Sequence, residues 1–263
     1  MTPRAAPRFA VVRRLGPAYA EALGQSPDAP PIDLARAQAQ HAAYVAALKD
    51  LDLVVLELDD HGLPDACFVE DTAIVVGRDA LLTRPGAPSR RAEVDAVGAA
   101  LMGLGVRVTP MTEPATLDGG DVLRLGDRLL VGRSARTNDE GIAALEAYAR
   151  PLGLAVHVLD VPPETLHLKC HATSPVEGLV VVARDVLPPE QVPPGWRIVK
   201  IPDKEAYAAN TLGVGDEVLV AAGFPEAARA IAAALPAGRV VTLDTSELAK
   251  AAGSLTCLSL LVE

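Results

Sequence analysis

The 263-residue chain is poor in cysteine, with only Cys67, Cys170 and Cys257. They form no CxxC pair, and no Cys/His spacing matches a zinc finger. An odd, low count argues against a disulfide framework and for a reducing compartment, so the expected location is the cytoplasm. Long apolar runs are missing too. Half of the residues are hydrophobic, which is ample for a core, but no stretch approaches the ~18 residues of a membrane span. The opening "MTPRAAPRFAVVRRL" lacks the apolar centre of a secretory signal. Positive charge is also short: 24 Lys and Arg stand against 34 Asp and Glu, for a net charge of −10. Nucleic acid and anionic membrane favour basic patches, so neither is an expected partner. A cationic small ligand suits this balance, as does an ordinary acidic protein.

What the chain does contain is an internal repeat. Five stretches are β-rich with turn residues in the middle: "FVEDTAIVVGRDALLTRPG", "LDGGDVLRLGDRLLVGRSA", "LHLKCHATSPVEGLVVVAR", "NTLGVGDEVLVAAGFP" and "GSLTCLSLLVE". "GRDA" and "GDR" fit hairpin turns. Helical patterns follow the first, second and fourth: "SRRAEVDAVGAALMGLG", "TNDEGIAALEAYARPLG" and "PEAARAIAAALPAG". Asn138 and its neighbours offer a helix N-cap with early acids. Strands such as "VRVTPM", "AVHVLDV" and "RVVTLD" come next, whereas "PPEQVPPGW" in the third unit makes a poor helix. The unit is strand–strand–helix–strand, recurring at about 42–50 residues. The fifth stretch ends with the chain. Its missing helix and strands lie at the N-terminus, in "FAVVRRL", "IDLARAQAQHAAYVAALKDL" and "LVVLELD". A unit split across the termini predicts a closed ring, which removes sheet edges.

Equivalent first strands would bring their polar residues to one axis. These are Glu70 and Asp71, Asp118 and Asp121, His167 and Lys169, Asn210, and Cys257. In "TLHLKC" an alternating strand would put His167 and Lys169 on one face and the leucines on the other. Singly, each has a plain explanation. A lone cysteine is usually a small core residue, a lone histidine is usually structural, and "DGGD" reads as a turn. Cys257 alone could be core filler, a disulfide half, a metal ligand or a nucleophile. Gathered at one axis, the set describes a pocket with acids, an imidazole and a thiol.

At these residues the chain resembles the dimethylarginine dimethylaminohydrolases of the guanidino-group-modifying (pentein) superfamily. The motifs are "LPDACFVEDTA", "LTRPGAPSRRAEVD", "TLDGGDVL", "VGRSARTN", "LHLK" and "GSLTCLS", in the family's order across roughly residues 9–262. The resemblance implies a five-bladed α/β propeller around a central pocket, with residues 1–263 as one catalytic domain. It implies Cys257 as nucleophile, His167 as general acid/base and Asp118 as the carboxylate orienting that histidine. Asp65, Glu70 and Asp71 match acids around the guanidinium, and Arg90 and Arg136 match substrate-binding arginines. Leu23 corresponds to a leucine on a flap over the site, and Ala251 to a backbone contact. Cys67 is expected to be structural. Cys170 leaves zinc binding or redox sensitivity open.

The implied reaction hydrolyses asymmetric dimethylarginine or monomethylarginine to citrulline and an alkylamine, with no metal or organic cofactor. The expected partner is a small guanidine substrate, and the expected assembly a monomer or homodimer. Three alternatives stand beside it. One is deimination or amidino transfer on another guanidine. Another is a non-catalytic guanidine binder, and the last a metal-binding protein using Cys170, His171 and Cys257.

Overall fold

The computed structural model describes residues 6–24, 30–235 and 238–263. The first five residues, which belong to the segment read for a signal, lie outside the described residues. The N-terminal stretch supplies β1 (Phe9–Arg13), α1 (Leu34–Asp50) and β2 (Val54–Leu58). Next come β3 (Ala73–Val76), β4 (Asp79–Leu82), α2 (Val94–Gly103) and β5 (Arg107–Pro110). The pattern recurs as β6 (Val122–Leu125), β7 (Arg128–Arg133), α3 (Asp139–Ala149) and β8 (Ala155–Asp160). The third unit has β9 (Ala172–Thr173), β10 (Leu179–Ala183) and β11 (Arg197–Ile201). The last contains β12 (Leu212–Val214), β13 (Glu217–Ala221), α4 (Pro225–Ala234) and β14 (Val240–Leu243). A short α5 (Ser246–Ala249) leads to β15 (Leu260–Val262).

These strands form five three-stranded sheets of one design. The first strand pairs antiparallel with the second, and the second pairs parallel with the third. The two tight hairpins after β3 and β6 turn at Gly77 and Gly126, both at positive φ, as the "GRDA" and "GDR" patterns anticipate. A parallel pair needs a crossover. α1 to α4 supply it in four blades, and the proline-rich blade of the third unit has a 3₁₀ turn, Pro189–Gln191, instead. The split sheet has the order β15–β1–β2, so the C-terminal strand closes on the N-terminal one. This is the expected five-bladed α/β propeller.

Helix boundaries follow local chemistry. Asp33 caps α1 by accepting from the Arg36 N–H, and Asn138 caps α3 by accepting from Gly141 N–H. Each helix buries one stripe. On α1 it runs through Ala37, His41, Tyr44 and Leu48, at three- and four-residue spacing. Middle strands are buried on both faces, β10 along its whole length. Outer strands show more surface, with Val54 and Leu56 of β2 exposed. Among the described residues, no helix is long and apolar enough to cross a membrane.

One local expectation changes. The "TLHLKC" stretch is not a strand: Leu168–Cys170 is a 3₁₀ turn. The other axial residues also sit on or beside 3₁₀ turns that precede the first strands: Val69–Thr72, Gly119–Asp121, Asp203–Ala209 and Thr256–Leu258. Extended strands would converge too tightly at the axis. Short turns widen it and let polar side chains and backbone groups face inward.

Removing residues 257–263 deletes the β15 partners of Phe9, Ala10 and Val11 and the buried side chains of Leu258, Leu260 and Val262. At about 1.5–3 kcal/mol per buried side chain, the loss exceeds roughly 5 kcal/mol. Thermal unfolding of the truncated chain should show a Tm lower by roughly 10–20 °C. An unchanged Tm would contradict closure through β15.

Candidate active site

Asp118 precedes the Gly119–Asp121 turn and is fully buried. Its Oδ1 accepts from Gly86 N–H at 2.9 Å, and its Oδ2 lies 3.0 Å from His167 Nε2. The other imidazole nitrogen, Nδ1, faces Asp71 Oδ1 at 3.8 Å. The glycines of "DGGD" are required by close approach. A Cβ on Gly119 would stand 2.0 Å from the Glu70 carbonyl oxygen, and one on Gly120 would stand 2.5 Å from His167 Nδ1. Gly120 N–H also donates to Asp71 Oδ1 at 2.9 Å. The motif that reads as a turn is therefore what lets the imidazole and its two carboxylates share one corner.

Cys257 and His167 line two adjoining cavities. The outer one is bounded by Leu23, Asp65, Asp71, Arg90, Arg136 and Ala251. Leu23 N–H donates to Asp65 Oδ1 at 3.1 Å, and Gly24 packs closely on the Ala251 carbonyl. Leu23 and Ala251 thus meet on one wall although 228 positions separate them. Beside Ala251, Ala252 holds φ 55°, a left-handed conformation that costs a non-glycine residue energy. The inner cavity is bounded by Glu70, Lys169, Cys170, Tyr207, Asn210 and Ser254.

The two arginines stand differently. Arg136 is half-buried, with one guanidinium nitrogen 4.0 Å from Asp118 Oδ2. Arg90 is buried and already paired, with Asp71 Oδ2 at 2.6 Å and Glu93 Oε2 at 2.9 Å. Two backbone carbonyls, of Asp65 and Phe68, accept from the same guanidinium. Cys67 is buried in the core beneath this network. The set Cys170, His171 and Cys257 does not converge into a three-ligand group. The one such grouping among the described residues is Asp71, Asp118 and His167, which already serve one another as histidine and carboxylate partners.

Comparison with known proteins fits this geometry. No family model matches the chain. It is 39% identical to the N(G),N(G)-dimethylarginine dimethylaminohydrolase of Streptomyces coelicolor, over 95% of each chain. It is 36% identical to the Pseudomonas aeruginosa protein of the same name, over 87% of this chain and 89% of that one. The chain belongs to the dimethylarginine dimethylaminohydrolase family. A mutant of the Pseudomonas aeruginosa enzyme complexed with citrulline superposes with a TM-score of 0.91 at 32% identity, covering 98% of this chain and all of that one. A related adduct holds S-methyl-L-thiocitrulline, with a TM-score of 0.90. An amidinotransferase at 16% identity shares the fold alone. The chain is thus a pentein-type hydrolase related to the dimethylarginine dimethylaminohydrolases.

Within this site burial and the acids together set the electrostatics. Burial disfavours a charged His167, but Asp71, Asp118 and Asp121 outweigh it and raise its pKa to about 9. Burial likewise opposes an ionised Asp71, yet His167 and Arg90 hold its carboxyl below the usual range. At Cys257, desolvation and then Glu70 and Asp71 push the thiol well up. Cys170 is raised to about 11, chiefly by burial. Three contributors stand outside the residues singled out from the sequence. Glu93 braces Arg90, Gly120 makes room for His167, and Tyr207 donates to the Gly253 carbonyl at 2.9 Å beside the site. The doubled glycine of "DGGD" is the one sequence signal that could have flagged Gly120.

A histidine whose folded pKa lies above its unfolded value stabilises the fold below the unfolded pKa, near 6.5, and that contribution is lost as pH rises through about 9. Asp118→Asn removes the hydrogen-bonded carboxylate. The His167 pKa, followed by NMR titration, should fall toward 6.5, and the alkaline decline in Tm should move to lower pH. A His167 titration unmoved by the substitution would show that Asp118 does not set it.

Proposed function

We propose that the chain is a cytoplasmic enzyme, acting as one catalytic domain over residues 1–263, that hydrolyses Nω-methylated L-arginine. Asymmetric dimethylarginine or monomethylarginine gives L-citrulline and an alkylamine through a covalent thiouronium on Cys257. The observation that carries this reading is the shared wall: a thiol and an Asp118-held imidazole line both of two adjoining cavities, one bounded by Asp65 and Asp71 and the other by Glu70. Family membership at 39% identity supports it.

The acids suit a planar cation, because carboxylates accept paired N–H bonds from a guanidinium. Asp65, Glu70 and Asp71 place the central carbon next to Cys257. Arg136 takes the α-carboxylate at the outer end, where guanidinium groups match carboxylate geometry, and Arg90 lines the same cavity while holding Asp71 in place. Before a substrate binds, burial and then the acids oppose a thiolate. An arriving cation offsets them, so ionisation of Cys257 is coupled to binding.

The thiolate sulfur then forms a bond to the guanidinium carbon. His167, protonated because of its carboxylate partners, gives its proton to the alkylated nitrogen. The C–N bond breaks and the amine departs, leaving the thiouronium. Water gives a proton back to His167 as its oxygen bonds to the same carbon. Collapse expels the thiolate and leaves the urea group of citrulline. Proton transfer of this kind contributes roughly 10²–10⁴ in rate.

The deciding experiment incubates purified protein with arginine, monomethylarginine and asymmetric dimethylarginine and identifies products by mass spectrometry. Citrulline with methylamine or dimethylamine is expected, with none from Cys257→Ser. Citrulline from arginine alone would indicate deimination, and no product from any of the three would refute the proposal. A separate check follows thiolate ultraviolet absorbance against pH. A bound guanidine ligand should lower the Cys257 midpoint, and an identical midpoint with and without ligand would rule out coupling between binding and ionisation.

A further inference from the structure

The inner cavity holds one side chain that the reaction has not used. Ser254 lines it together with Cys257, His167, Cys170, Tyr207 and Asn210. A tight turn puts it there: Cys257 N–H donates to the Ser254 carbonyl at 3.2 Å, which folds the serine back beside the nucleophile. Ser254 is 5% exposed, and among the described residues its Oγ has no hydrogen-bond partner. A buried hydroxyl left unpaired costs free energy, so one retained beside a reactive thiol calls for a role.

The other polar side chains of the cavity are already committed. Glu70 accepts from Lys169 and from Thr256 Oγ1. Asn210 donates to the Lys169 carbonyl and to Thr256 Oγ1, and its oxygen accepts from Thr256 N–H. The Tyr207 hydroxyl lies close to Ser254, but it gives its proton to the Gly253 carbonyl at 2.9 Å. Cys170 is a weakly bonding thiol that burial keeps protonated. A serine hydroxyl carries one proton and two lone pairs. Wherever the Ser254 proton turns, no donor among the described residues reaches those lone pairs.

The hydrolytic reaction proposed above, on which this inference rests, has a step that needs such an acceptor. Once the amine has left, a water must attack the carbon of the Cys257 thiouronium. Its oxygen has to point a lone pair at that carbon, with one hydrogen toward His167. Unless the second hydrogen also finds an acceptor, the water is free to turn away. The inner cavity, at about 40 Å³, is lined by both Cys257 and His167. It has room for roughly one to three waters.

We propose that Ser254 positions the water of the second half-reaction. Its Oγ accepts one hydrogen of the attacking water, while His167 takes the other as the C–O bond forms. The C–S bond then breaks, its electron pair returns to the Cys257 sulfur, and the urea group remains. Ser254 neither gains nor loses a proton; it acts by placement. The first half-reaction does not use this water. Ser254 therefore governs breakdown of the adduct and leaves its formation untouched.

The unmodified chain is assayed first with asymmetric dimethylarginine. Failure to form citrulline at that stage overturns the hydrolase reading and the role of Ser254 with it. Given activity, rapid-quench mass spectrometry follows the Cys257 adduct in the unmodified chain and in Ser254→Ala. The variant's adduct should form at the unmodified rate, then decay roughly tenfold more slowly and accumulate, about the effect of one hydrogen bond. In steady state, kcat and KM should fall together while kcat/KM, which reports the steps up to amine release, stays unchanged. Tm should hold or rise, because the substitution removes a buried hydroxyl without a partner in the protein. Adduct decay at the unmodified rate overturns the proposal alone. Equal losses of kcat and kcat/KM also overturn it, because they mark a general distortion of the site. A lowered Tm would overturn the reading of Ser254 as unpaired. Ser254→Gly removes the same hydroxyl and keeps the test decisive if the alanine variant folds poorly.

Discussion

The structure depends on a closed circuit of hydrogen bonds at the axis of the propeller. Gly120 N–H donates to Asp71, Leu168 N–H to Asp121, and Asn210 Nδ2 to the Lys169 carbonyl. Asn210 and Thr256 exchange two more, and Thr256 Oγ1 donates to Glu70, back in the starting blade. Each link joins the inner turn of one blade to that of the next. Buried polar groups must be paired or they cost free energy, so the circuit fixes how many blades fit and how each is rotated. The strands, helices and five apolar clusters between blades fill the space that this circuit defines.

The same circuit creates the chemistry. A ring closed with carboxylates concentrates negative charge where strands cannot approach more closely. Asp71 serves three masters: it accepts from Gly120, pairs with Arg90 and faces His167. Asp121 shows the structural use of the same residue type, satisfied by Ser134, Thr137 and Leu168 N–H and lining neither catalytic cavity. The acids that remain open to the cavity are therefore available for a cation, and burial, then Glu70 and Asp71, disfavour a Cys257 thiolate. Stability and reactivity draw on one arrangement, since a removed carboxylate would loosen the ring and empty the site together.

Much of this was legible in the chain. The repeat is visible because each blade obeys the same hydrophobic periods, 2 along strands and 3.6 along helices. The split fifth unit is visible because its missing pieces occur once, at the other end. Asp118, His167 and Cys257 stand at corresponding places in three units, and the structure puts His167 and Cys257 on the same cavities with Asp118 bonded behind the imidazole. Other features were not legible. The inner residues occupy 3₁₀ turns rather than strands, because four residues of alternating pattern look alike in either conformation. Arg90 reads as a free cation on "SRR", yet Asp71 and Glu93 already engage it. Glu93 itself gave no signal, since its role exists only through Arg90.

The amino-acid sequence by itself determined the five units, their helices and hairpins, the absence of a disulfide scaffold and the residue types proposed for the chemistry. These are local matters of period, turn chemistry and residue type. Tertiary structure alone decided which groups share charge, which of them face a cavity, and that Lys169 pairs with Glu70. Leu23 and Ala251 meet on one wall, and Thr256 reaches Glu70 from 186 positions away. Those relations arise from closing the ring, because only closure brings five turns from distant parts of the chain to a single axis and desolvates them together.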